Sequence, residues 1–189
     1  GGAGGGGGPG AAERAPTGGG KSGERRQVKE ELERALCDEL AWRAQMARAV
    51  VAYGLFKQTS DGGQTWTDVD APEVRAAETH LNSSSKLGNG DLLVAGEAGM
   101  LAVSGDQGKT WTKLAAPYDN SLFGALPLGD AGAVLYGLRG HVYSTTDVRK
   151  GPWKELTTNS VASMFGGTVL ANGEHVLVGL NGVVLIVAA

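Results

Sequence analysis

The most constraining feature of this 189-residue chain is an octet that occurs twice. Thr59-Ser60-Asp61-Gly62-Gly63-Gln64-Thr65-Trp66 and Ser104-Gly105-Asp106-Gln107-Gly108-Lys109-Thr110-Trp111 both read Ser/Thr-x-Asp-x-Gly-x-Thr-Trp. A degenerate third copy runs from Thr145-Thr146-Asp147 to Trp153, with one extra residue before the tryptophan and Lys150 in place of the glycine. The three tryptophans are 45 and 42 residues apart. A turn motif returning at a near-constant interval marks a repeat architecture, and each unit then needs a neighbour to cover its apolar face.

The register extends beyond the octet. Gly54, Gly99, Gly140 and Gly182 each open a short aliphatic run, and Gly96, Gly137 and Gly179 stand three residues before the last three of them. Leu87, Leu128 and Leu170 stand twelve residues before the same three. Apolar and β-branched runs between Gly/Asn/Asp clusters predict strands over 121–127, 133–136, 140–144 and 153–156. Several short strands per unit of about 40 to 50 residues predict β-propeller blades. In the turn, an Asp carboxylate can accept amides two residues on, and glycine supplies a positive φ without a steric penalty. A tryptophan after it adds a large apolar body with one N–H to satisfy, suited to a wedge beneath the turn.

The octets ending at Trp66 and Trp111 resemble the Asp-box, or BNR repeat, of sialidase-like propellers. The surrounding Leu-to-Gly-x-x-Gly register is more similar to the photosystem II assembly/stability factor-like propellers. The resemblance covers roughly 50–189 and assigns Thr59, Asp61, Gly63, Trp66, Ser104, Asp106, Gly108, Trp111, Asp147 and Trp153 to structural boxes. It implies an all-β propeller without cofactor, an exported, periplasmic or membrane-associated setting, and a protein partner.

Three segments follow. Residues 1–27 are glycine-dominated and predict a disordered tail, without the apolar core of a signal peptide. Within it, residues 15–22 nominally match a relaxed phosphate-loop pattern, but no strand precedes them to aim backbone amides at a phosphate. Over 28–50, Val28, Leu32, Leu36 and Leu40 recur every fourth residue, with Glu30–Arg34 and Glu39–Arg43 as i,i+4 pairs, predicting one amphipathic helix. It is too short in apolar run to span a membrane. Residues 51–189 predict a partial propeller of about three blades, the first incomplete, from a longer protein or an arc completed by a partner.

Composition excludes several functions. Cys37 is the sole cysteine, so neither a disulfide framework nor a multi-cysteine zinc site can form, and it reads as a small helix residue. The blade region carries nine Lys/Arg against thirteen Asp/Glu, a balance that disfavours nucleic acid. His80, His141 and His175 are too scattered for a metal site. Asp61, Asp106 and Asp147 could suggest glycosidase carboxylates, but one per repeat at the same turn places them a blade apart rather than across one bond. A sialidase also needs an arginine cluster, and only Arg75, Arg139 and Arg149 lie in the blades. Arg139 stands out, because sister repeats carry Ala98 and Asn181 at its position. It is the one candidate binding residue. The expected function is a non-catalytic scaffold, assembly-factor-like, holding a protein partner during maturation of a membrane complex. The alternatives are a carbohydrate-active propeller, hydrolase or lectin-like, and a truncated fragment with no function of its own.

Overall fold

The computed structural model describes residues 1, 36–43, 46–51, 56–75 and 79–188. They form four antiparallel sheets in chain order. The first contains β1 (Leu36–Arg43), β2 (Met46–Val51), β3 (Phe56–Thr59) and β4 (Thr67–Asp68), and a one-turn helix α1 (Pro72–Arg75) follows it. The second contains β5 (Leu81–Lys86), β6 (Leu92–Gly96), β7 (Leu101–Ser104) and β8 (Thr112–Lys113). The third contains β9 (Leu122–Leu128), β10 (Gly132–Gly137), β11 (Val142–Thr145) and β12 (Lys154–Glu155). The fourth has three strands, β13 (Met164–Val169), β14 (His175–Gly179) and β15 (Val184–Val187). Each sheet is an up-and-down meander, the blade unit of a propeller.

Two expectations are corrected. Residues 36–43 and 46–51 are not part of a helix: β1 pairs with β2, and β2 with β3. A spacing of four is an even number, so a stripe read as one helix face also falls on one face of a strand, whose period is two. The open backbone edge of β3 decides between them, since its N–H and C=O groups need a partner strand. Cys37 accordingly lies in β1, where the register shifts between Leu36 and Asp38. The first blade is therefore complete, and there are four sheets rather than about three. The tail at 2–27, with its phosphate-loop pattern, and residues 28–35 lie outside the described residues.

The repeated glycines have one local cause each. A Cβ at Gly96, Gly137 or Gly179 would run into the carbonyl of His80, Ser121 or Ser163, the chain entering the first strand of the same blade. The pairs Ala98/Gly99, Arg139/Gly140 and Asn181/Gly182 all have positive φ, between 50° and 79°. Met100, His141 and Val183 donate their amides back to Glu97, Leu138 and Leu180, closing type I′ hairpin turns.

The core lies between sheets. Each middle sheet has a leading face toward the preceding blade and a trailing face toward the next. Leu92, Val94 and Ala102 pack with Phe56, Val69, Val74 and Trp111. On the trailing side, Leu93, Ala95, Leu101 and Val103 pack with Leu122, Leu135 and Tyr143 of the third sheet. Val134, Tyr136 and Val142 then meet Met164, Leu177 and Val187 of the fourth. Side chains also stitch the first strands together: Asn82 Nδ2 donates to the Leu122 carbonyl at 2.9 Å and Ser85 Oγ to that of Ala125 at 2.6 Å. His175 Nε2 lies 2.9 Å from the Pro127 carbonyl.

Candidate functional site

Consecutive antiparallel strands divide each blade's connections between two edges. One edge carries the turns between first and second strands and the Asp-boxes between third and fourth. The other carries the type I′ turns and the connectors between blades.

On the box edge the two intact octets have the same geometry. The Thr59 and Ser104 hydroxyls each donate to the box aspartate at 2.8 Å. They accept the amides of Gly63 and Gly108 at 2.9 and 2.6 Å, which brings the loop back onto the strand end. Those glycines have φ of 83° and 77°, a conformation side chains resist. Asp61 Oδ1 accepts the Thr65 amide at 2.9 Å and Oδ2 the Thr65 hydroxyl at 2.6 Å. Asp106 receives the matching pair from Thr110 at 2.9 and 2.7 Å. The Thr65 hydroxyl, then its amide and the Thr59 hydroxyl, hold Asp61 down to about 2. Asp106 is held well below the usual carboxylate range, first by the Thr110 amide. Trp111 donates Nε1–H to the Gly108 carbonyl at 3.2 Å and meets Phe56 edge-on with centroids 5.1 Å apart, joining two blades. Trp66 is only half-buried.

The third copy builds a different turn. Asp147 Oδ1 accepts the amides of Arg149 and Lys150 at 2.9 and 3.2 Å, two and three residues on rather than four. The residue four after Asp147, where the intact boxes carry threonine, is Gly151, and Lys150 Nζ reaches Asp147 at 3.1 Å instead. That contact is the largest cause lowering the Asp147 carboxyl. Trp153 still packs on the core between the second and third sheets. Arg149 crosses to Asp91 at 3.1 Å. The three aspartates thus stay in separate turns, with their lone pairs committed to their own loops.

On the opposite edge Arg139 is exposed at the tip of its turn, its amide donating to Ser163 Oγ at 3.1 Å. Its φ of 58° is unusual for a long side chain. The same edge carries a polar aromatic group between the second and third blades. His141 packs against Tyr118 with the rings tilted by 31° and centroids 4.5 Å apart, and its Nδ1 lies 2.6 Å from Glu155 Oε1. Burial, then the charge of Glu155, pushes the Tyr143 hydroxyl up. Such an edge offers a cation, aromatic faces and carboxylates on rigid turns, suited to gripping an extended polar chain. No group of three metal-ligating side chains forms among the described residues.

Sequence reasoning missed several of these residues. Thr65 and Thr110 recur in both octets, and that repetition was the available signal for their role. Tyr118, His141 and Tyr143 come together only through blade packing, and no local spacing announces them.

The family model described as Photosynthesis system II assembly factor YCF48 matches residues 21–187. The chain is similar to the structure of YCF48 from Cyanidioschyzon merolae at 21% identity and a TM-score of 0.66, covering 82% of this chain and 53% of that one. It is similar to YCF48 bound to D1 peptide at 25% identity and a TM-score of 0.61, covering 77% and 47%. It therefore spans about half the length of these two chains. The computationally designed Ika4 protein, at 13% identity and a TM-score of 0.59, covers 78% of this chain and 88% of its own, and shares the fold alone. No curated protein matches.

Proposed function

Because this chain belongs to the photosynthesis system II assembly factor YCF48 family, we propose that it is a non-catalytic propeller scaffold whose type I′-turn edge holds a protein partner during maturation of a membrane-associated complex. The observation that carries this reading is the similarity to a YCF48 structure with a D1 peptide bound. The exposed Arg139, on the same edge as Tyr118, His141 and Glu155, supports the choice of edge. Arg139 supplies five N–H donors that can fork onto a peptide carboxylate or carbonyl. No helix among the described residues is long and apolar enough to cross a membrane. The boxes support a scaffold rather than a hydrolase, since their carboxylates already hold their own turns.

The test is a fluorescence-anisotropy titration with a labelled D1-derived peptide. Arg139→Ala should weaken binding about tenfold, as expected for loss of a hydrogen bond from a charged donor. Lys109→Ala, on the box edge, should leave it unchanged. Absence of peptide binding by the parent chain overturns the partner, and an unaffected Arg139→Ala overturns the edge. Turnover of a fluorogenic glycoside, abolished by one carboxylate substitution, overturns the non-catalytic reading.

A further inference from the structure

Arg48, in β2, has only 4% of its surface exposed. Cross-strand pairing fixes its place in the repeat. It pairs with Gln58, one rung from the Ala47–Thr59 pair at the box, and the same rung holds Leu93 with Val103, Val134 with Ser144, and Val176 with Ile186 in the other blades. Where each sister blade carries an aliphatic side chain, the first carries a cation. Its Nη2 donates to Gln58 Oε1 at 2.8 Å. The guanidinium lies on the second blade's box, because a Cβ at Gly108 would run into it. Burial works against its charge, and the Asp106 carboxylate of that box works for it. At the next seam the third copy's turn contributes Val148 to the apolar cluster that holds Leu93 and Val103. The first box supplies the comparison for glycine: Gly63 has φ of 83° against 77° at Gly108, yet a Cβ there would approach nothing nearer than Trp66 at 3.8 Å. Gly108 therefore answers to Arg48 as well as to its own backbone.

We infer that Arg48, with Gln58, is a docking key that seats the first blade on the Gly108 corner of the second in one register and bars it from a blade with an apolar corner. Repeats with similar faces are prone to docking in the wrong place. A guanidinium set against Val148 would be a charge buried among apolar side chains, which is strongly unfavourable. A leucine set on Gly108 would forgo the bond to Gln58 and the attraction of Asp106. A polar group buried where an apolar one would serve lowers stability but makes the packing unique, as a single buried asparagine does in a coiled coil. The order of the blades then rests on the chemistry of their seams as well as on connectivity. This inference is independent of the partner-binding reading.

Two measurements test it. In urea denaturation, Gly108→Ala should lower the midpoint further than Gly63→Ala, and with Arg48→Leu and Gln58→Val in place the two alanines should lower it equally. In the NMR spectrum of the parent, Trp111 should give one indole N–H signal, since it bonds Gly108 and meets Phe56 at this seam. Arg48→Leu with Gln58→Val should split or broaden that signal while far-ultraviolet circular dichroism stays unchanged. Should this variant fail to fold, Arg48→Lys keeps the charge without the flat fork and should split the same signal. Equal losses from Gly108→Ala and Gly63→Ala in the parent overturn the contact. A single sharp Trp111 signal in whichever variant folds overturns the key. Failure of both to fold overturns it as well, because the arginine is then needed for stability rather than for register.

Discussion

Within the box, the threonine before the tryptophan holds the aspartate carboxyl below its ordinary range. Its hydroxyl is the largest cause of the low Asp61 value, so Thr65→Val should raise the Asp61 carboxyl from about 2 toward the ordinary 3.8 in an NMR titration. No movement on this substitution would mean that the turn amides and the Thr59 hydroxyl hold the charge without it. The sign of the pH effect follows from linkage. A carboxyl with a folded value below its unfolded one favours folding above about 3.8, and that contribution fades as pH falls toward 2. Thermal midpoints of the parent should therefore drop over this window, and Asp61→Asn with Asp106→Asn should flatten the profile. Trp111, 8% exposed and locked to Phe56, is a core residue. Trp111→Ala should cost about 3–5 kcal/mol by urea denaturation, while the less buried Trp153→Ala should cost less.

The blade hairpins show what a single chain's sequence can and cannot disclose about strands and turns. The Gly-x-x-Gly spacing was legible because each glycine answers a local need: a left-handed turn, or a carbonyl where a side chain would sit. The last three blades were readable for that reason. Residues 36–43 and 46–51 were not, since their spacing satisfies a helix face and a strand face alike and only pairing with β3 selects between them. The boxes were legible as turns, whereas the Tyr118–His141 contact depends on two blades meeting. The turns also permit a paired prediction. Gly140 has φ of 79°, and a Cβ there would strike the Ser160 carbonyl. Gly182 has φ of 75° with nothing within 4 Å. Gly182→Ala should cost roughly 1–2 kcal/mol from backbone strain alone. Gly140→Ala should exceed it by about 1–3 kcal/mol through overpacking. Equal losses would show that the connector yields at no cost.

At the scale of the whole arc, stability is shared between neighbours rather than held in one central core, as in other repeat proteins. The outermost strands β4, β8 and β12 are two residues long and exposed, while β6 and β10 are buried throughout. The side-chain stitches described above converge on β9: Asn82 and Ser85 reach its carbonyls from the second sheet, and His175 reaches it from the fourth. For β9 to separate, both neighbouring blades must release it, whereas β12 can peel away from β11 alone. Deuterium uptake should therefore sweep from the rim inward, with amides of β8 and β12 exchanging first and those of β9 and β10 last, through the most complete opening of the chain.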